Sequence, residues 1–395
     1  MSKASSAAPE LRTLAQAGAE ALRAGDARKA RALFEQVVAT GRADASIWLG
    51  VALACRALGD DAAKFAALDR TLALDGRNLR ALVMKADHLA AAGDARAAST
   101  FYTAAVRAAP SMSQLPPEAR TELARAQAQA ARYGEAYESH LRSQLAARGL
   151  DAARTSSRFA QSIDLLTGRK QAYLQQPLYY YFPELPQVQF YDRQAFPWLD
   201  AVEAATDDIR NELLAVLQEE GAFVPYVQGR RDRPAQKYDA MLNNPSWSAF
   251  FLWQDGAVVE GNAARCPRTL AALADAPLCR IPRRTPSILF SLLRPGARIP
   301  PHHGMINTRL ICHLPLIVPP GCGFRVGNET RSWEEGRAWV FDDSIEHEAW
   351  NGSAQTRVIL LFDVWRPELS PGERESVAAM FEAIDEFGAA PRWEI

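Results

Sequence analysis

Two kinds of hydrophobic pattern divide this chain. Up to about residue 145, alanine- and leucine-rich stretches with helical spacing alternate with a recurring Gly-Asp pair: Gly25-Asp26, Gly59-Asp60 and Gly93-Asp94. The step is 34 residues each time (25 to 59 to 93), and Phe34, Leu68 and Tyr102, like Trp48 and Leu82, keep the same register. Glycine permits the tight turn between antiparallel helices, and a 34-residue period of such pairs is that of tetratricopeptide repeats. Residues 10–145 are therefore predicted to form an α-solenoid rather than a plain alanine-rich bundle. The concave face of such an array is a place for a peptide or protein partner.

Residues 146–180 read as a connecting segment. It holds a short helix at about 158–173 and ends in an aromatic run, Tyr179-Tyr180-Tyr181-Phe182-Pro183, expected to pack at the domain junction. Residues 190–280 mix helix and loop, with helices near 209–218 and 268–274. Beyond residue 285 the pattern shortens to apolar runs separated by Pro/Gly turns, among them SILFSLL, NTRLICHLPLIV, RAWVF and TRVILLFDVW. Seven or so short strands of this kind predict a jelly roll or cupin-like barrel. Ser370-Pro371-Gly372-Glu373 has the capping-box arrangement with proline at the first helical position, and opens a C-terminal helix. The expected organisation is multidomain α + β: repeats at 10–145, a connector at 146–180, a β domain at 181–369 and a terminal helix at 370–395.

Composition narrows the partners. With 45 basic and 46 acidic residues the net charge is −1, which leaves no electrostatic footprint for nucleic acid or an anionic membrane surface. The start, MSKASSAAPELR, lacks an apolar signal region, and no apolar stretch approaches a membrane span, so a soluble cytoplasmic protein is expected. Five cysteines form no CxxC pair and read as reduced structural thiols.

The candidate chemistry lies in the strands. Four of the six histidines fall between 302 and 347. His302 follows Pro300-Pro301 and His347 sits on a later strand, flanked upstream by Asp342-Asp343. Two imidazoles from facing strands can reach one cation in the mouth of a small barrel. Arg357 stands in an otherwise buried strand and requires an anion there, either the distal carboxylate of 2-oxoglutarate or an internal acid such as Asp363. Non-haem iron sites usually add a carboxylate two residues after the first histidine. Gly304 holds that position, which leaves open an iron site completed by water, a halide in the vacant place, or a cupin without redox chemistry.

PHHGMINTRLICHL, FDDSIEHEAW and RVILLFDVWRPEL, with WSAFFLWQDG, CPRTL and GNETRSWEEG, resemble the aspartyl/asparaginyl β-hydroxylase family from about Tyr181 to Glu368. The resemblance implies a double-stranded β-helix fold and an iron(II)- and 2-oxoglutarate-dependent dioxygenase, consuming O2 and releasing succinate and CO2. It also matches Gly304, since that family has glycine there. By position, His302 and His347 would bind iron, Ser291, His313 and Arg357 the co-substrate, and Asp343 an iron-bound water. Arg309 would receive a substrate carboxylate. Ile311 and Ala249 depart from the arginine and glutamine of the family. The implied substrate is a peptidyl Asp or Asn or a small acidic molecule. Acyl-chain hydroxylation, halogenation and a non-catalytic repeat scaffold are the alternatives.

Overall fold

In the computed structural model, which describes residues 7–109, 115–150, 154–228 and 241–387, the recurring Gly-Asp pair closes one helix and opens the next. Gly25, Gly59 and Gly93 adopt φ of +80°, +73° and +83°, a left-handed conformation that glycine enters without steric penalty. The amides of Asp26, Asp60 and Asp94 then reach back to the carbonyls of Ala21, Cys55 and Leu89, at 2.9, 3.0 and 3.0 Å, as a Schellman ending requires. The same aspartates accept from the amides of Lys29, Ala63 and Ala97 and so cap the following helices. Two residues thus satisfy both ends of the turn.

The helices are α1 (Ala7–Arg23), α2 (Ala27–Ala39), α3 (Ala45–Leu58), α4 (Asp61–Leu74), α5 (Leu79–Ala91), α6 (Ala95–Ala108), α7 (Pro117–Ala147) and α8 (Ser157–Leu166). They form the unit Met1–Lys170. Phe34 on α2 wedges between Gly18 and Gly50, where an added Cβ would come within 2.8 and 2.6 Å of its ring. Small residues there let the aromatic ring fill the space between α1 and α3. Leu68 and Tyr102, at the same register, are equally buried. The predicted helix at 158–173 ends earlier, at Leu166, because Gly168 turns left-handed at φ +76°.

The unit Gln171–Ile395 holds two antiparallel sheets. Its strands are β1 (Val224–Pro225), β2 (Trp247–Gln254), β3 (Ala257–Val258), β4 (Ile288–Leu293), β5 (Arg298–His302), β6 (Arg309–Ile317), β7 (Cys322–Val326), β8 (Glu329–Arg331), β9 (Trp339–Phe341), β10 (His347–Asn351) and β11 (Arg357–Trp365). The larger sheet runs β1-β2-β4-β11-β6-β9, with β3 paired to β2, and the smaller β5-β10-β7-β8. Helices α9 (Leu199–Ala204) and α10 (Thr206–Leu217) cover one face of the larger sheet, packing Leu199, Ile209 and Leu213 against Phe290, Leu314 and Leu360. The other face meets the smaller sheet, so that Ile311 and Leu293 pack with Phe324 and Ala349. Strands covered on both faces read as continuous apolar runs, which is why β6 and β11 show no polar alternation.

Further helices are α11 (Glu260–Ala263), α12 (Pro267–Ala272) and α13 (Pro371–Phe387). The capping box forms at the start of α13: Ser370 N donates to Glu373 Oε2 at 2.7 Å, and Glu373 N to Ser370 Oγ at 3.3 Å. Residues 388–395 of the expected terminal segment lie outside the described residues. The aromatic run contributes to a core cluster of the second unit. Tyr180 meets the ring of Phe381 on α13 edge-on at 5.5 Å, and Phe182 joins the same cluster. No helix among the described residues is long and apolar enough to cross a membrane.

Phe34→Ala should remove about 3–5 kcal/mol from the repeat unit, seen in urea as early loss of helical circular dichroism while the β domain keeps its own transition. An unchanged melt would show that Phe34 does not hold α1 to α3.

Candidate active site

Strand pairing brings the two histidines together. His302 ends β5, His347 begins β10, and they are register partners, with ring centroids 4.0 Å apart. Both are buried. His302 Nδ1 lies 2.8 Å from Pro300 O, and His347 Nδ1 donates to Ile345 O at 3.0 Å, which makes Nε2 the lone-pair nitrogen of His347. Burial lowers His302 to about 4 and His347 well below the usual histidine range, the neighbouring imidazole adding to the effect on His347. Two neutral imidazoles therefore face one cavity, the form that binds a metal. Adjacent His303 does not line that cavity.

Gly304 follows them, and the space its side chain would occupy is taken. A Cβ there would sit 2.0 Å from Asp343 Oδ2, and Gly304 N donates to Asp343 O at 2.6 Å. The carboxylate that the chain lacks after His302 is supplied at that spot by the segment before β10. Asp343 Oδ1 is buried without a partner, and burial pushes the group up to about 6 against the pull of Arg309. Asp342, its neighbour, is structural: it accepts from Gln175 Nε2 at 2.7 Å and Ser344 Oγ at 2.6 Å and pairs with Arg366 at 3.1 Å. Among the described residues no group of three or more His, Cys, Asp or Glu could hold a metal ion.

Two arginines line the cavity in opposite circumstances. Arg309 on β6 bridges Asp343 Oδ2 at 3.0 Å and Asp363 Oδ2 at 3.1 Å. A carboxylate arriving beside it meets a guanidinium already shared between two acids. Arg357 on β11 is 1% exposed and has no acid partner among the described residues. Its Nη1 lies 3.4 Å from Ser291 O, its Nε is unpartnered, and burial lowers it to about 10. The internal partner that the sequence allows for it, Asp363, is committed to Arg309 and to the amide of Ser287 at 2.9 Å. Ser291 Oγ accepts from Trp247 Nε1 at 3.2 Å. His313 is buried, kept neutral first by burial and then by Arg357, and its Nδ1 has no partner.

One cavity thus gathers Ser291, His302, Arg309, His313, Asp343, His347 and Arg357. Of the two departures from the family pattern, Ile311 lines it, whereas Ala249 is buried on β2 opposite Ser291 and does not. Sequence reading assigned no role to Trp247 or Tyr226, which also line the cavity, or to Trp333, whose ring lies 4.9 Å from Arg357. Trp247 and Trp333 both fall in segments that carry the resemblance, and that was the available signal. A two-sheet domain with paired neutral imidazoles and an arginine lacking an acid partner in one cavity can receive a cation and an anion side by side.

Residues 203–367 match the family model described as aspartyl/asparaginyl β-hydroxylase, and this region of the chain is similar to that family. The human aspartyl/asparaginyl β-hydroxylase is 39% identical over 174 residues, covering 44% of this chain and 21% of that protein. The Rhizobium tropici ornithine lipid ester-linked acyl 2-hydroxylase is 36% identical over 197 residues, covering 49% and 66%. The human aspartate β-hydroxylase domain-containing protein 2 is 31% identical over 213 residues, covering 53% and 55%. The chain spans about a fifth of the length of the first of these.

Arg357 and Arg309 should respond oppositely to removal. Burial depresses the pKa of Arg357 to about 10, so folding disfavours its charge by about 3 kcal/mol. That loss is fully present at neutral pH and is relieved only as pH rises from the folded value toward the unfolded one. Arg357→Met should therefore raise the unfolding free energy of the ligand-free protein by about 1–4 kcal/mol, while Arg309→Met, which strands two buried carboxylates, should lower it by about 3–5 kcal/mol. Chemical denaturation at pH 7 measures both. Destabilisation by Arg357→Met would mean that the arginine has an internal partner after all.

Proposed function

We propose that the second unit is an iron(II)- and 2-oxoglutarate-dependent dioxygenase that hydroxylates an unactivated carbon, releasing succinate and CO2. The observation that carries this reading is the unpaired, buried Arg357 sharing a cavity with two neutral imidazoles. Nitrogen donors of this kind suit iron, and the set fits a metal that keeps open positions for other ligands. Bound iron would supply the oxidising power, drawn from O2 and 2-oxoglutarate, that no side chain of the protein possesses.

The chain's own residues do the rest. His302 and His347 would hold the metal, each ring oriented by its Nδ1 contact with a backbone carbonyl. Arg357 would take the distal carboxylate of 2-oxoglutarate, with Ser291 and His313 beside it offering a hydroxyl and a ring nitrogen. Asp343, through its unpartnered Oδ1, would orient a metal-bound water, and Arg309 would hold that carboxylate in place from the other oxygen. Packing between the two sheets keeps bulk water from these groups.

The leading substrate is an aspartyl or asparaginyl residue, or a related small acidic molecule, as the family and the human relatives suggest. A second reading, hydroxylation of an acyl chain, is supported by the R. tropici relative and by Ile311, Ile299, Ile359 and Leu361 in the cavity lining. A carboxylate at the space beside Gly304 disfavours a halide there and with it halogenation. The repeat array would bind a protein partner.

Isothermal titration with 2-oxoglutarate and Mn(II) should give metal-dependent binding that vanishes in Arg357→Ala, whereas a degenerate domain on a scaffold would show none. With iron(II) and ascorbate, the absence of succinate for every peptide and acyl substrate tried would sink the enzymatic reading. Gly304→Ala forces Asp343 aside and should slow 2-oxoglutarate turnover by roughly 10–100-fold, as loss of an outer hydrogen-bonding group around a metal does.

A further inference from the structure

Trp333 lies in the connection between β8 and β9, buried, and takes no part in the hydrogen bonding around the cavity: its Nε1 has no partner. Its ring nevertheless sits beside two groups of the site. The guanidinium carbon of Arg357 is 4.9 Å from the indole centroid, and the ring of His313 is 6.2 Å away. Trp333 is itself immobilised by stacking, on Trp339 at 5.8 Å with planes 11° apart and on Phe324 at 5.6 Å. Trp339 in turn meets Phe190 edge-on at 5.7 Å.

A guanidinium over an indole is attracted by the negative face of the ring. That attraction acts on the face of the guanidinium, whereas its N–H donors point outward in its plane. A carboxylate partner would do the opposite, filling the donors and neutralising the charge. A buried arginine that must stay oriented, charged and open to a ligand therefore gains from an aromatic partner what an acid could not give it. Among the described residues Arg357 has no acid, and Trp333 stacks on it.

We propose that Trp333 is a positioning residue for the co-substrate: its indole turns and retains the Arg357 guanidinium so that the in-plane donors meet the distal carboxylate of a 2-oxo dicarboxylic acid. This rests on the reading of Arg357 given above. It differs from a purely structural role in that the effect should run through Arg357.

Full-length protein with Mn(II), titrated with 2-oxoglutarate by calorimetry, tests it. Trp333→Leu should weaken 2-oxoglutarate binding about tenfold, the scale of a desolvated cation–π contact, with Mn(II) affinity unchanged. Trp333→Phe, which keeps a ring, should recover most of that loss and serves alone if the leucine variant does not fold, with a fall of about threefold then expected. In an Arg357→Met background, Trp333→Leu should leave the residual binding of 2-oxoglutarate unchanged. Wild-type affinity in folded Trp333→Leu, or in Trp333→Phe where that variant stands alone, overturns this proposal and leaves the co-substrate reading intact. Equal losses from Trp333→Leu with and without Arg357 overturn it as well. Failure of the wild type to bind 2-oxoglutarate at all overturns both.

Discussion

Burial of β6 and β11 on both faces is the constraint from which the site follows. A strand covered by helices on one side and by a second sheet on the other has no route to solvent for a charged side chain, so each charge in it must be answered inside the protein or by a ligand. Arg309 and Asp363 answer each other, and Asp343 completes the set. Arg357, on the same strand as Asp363, is left over. Among the described residues no acid answers its charge.

The same packing explains why the polar groups here are stiff. Trp247 holds the hydroxyl of Ser291, backbone carbonyls hold both imidazoles, and a ladder of aromatic rings backs Arg357. Hydrogen-bonding and stacking partners that are themselves buried leave little rotamer freedom. A dry, rigid wall of this type lets a ligand meet groups already oriented, so that little of its binding energy goes into ordering them.

Much of this was legible in the residues. The Gly-Asp period announced both the helical hairpins and their caps, because glycine geometry and aspartate capping are local chemistry that needs no tertiary context. The histidines and Arg357 stood out since charged or metal-binding side chains in an apolar strand demand an explanation. What stayed hidden was relational. Nothing local says that Arg309 sits between two acids, that Ile311 faces the cavity while Ala249 does not, or that Tyr180 packs on the terminal helix. Those facts depend on which strand lies beside which, and on pairing across long sequence separations. Trp333 was present in a recognisable segment, but its partner is in a strand more than twenty residues away, and only the fold brings the two together.

Gly304 has a consequence for the history of such sites. A three-ligand ancestor or descendant would carry a carboxylate on the residue after the His302-His303 pair, yet that volume already holds the carboxylate of Asp343. Introducing one without removing the other brings two acids into collision, so neither single change passes through a well-packed intermediate. The two arrangements exclude each other on this backbone, because the volume beside Gly304 holds one carboxylate and not two.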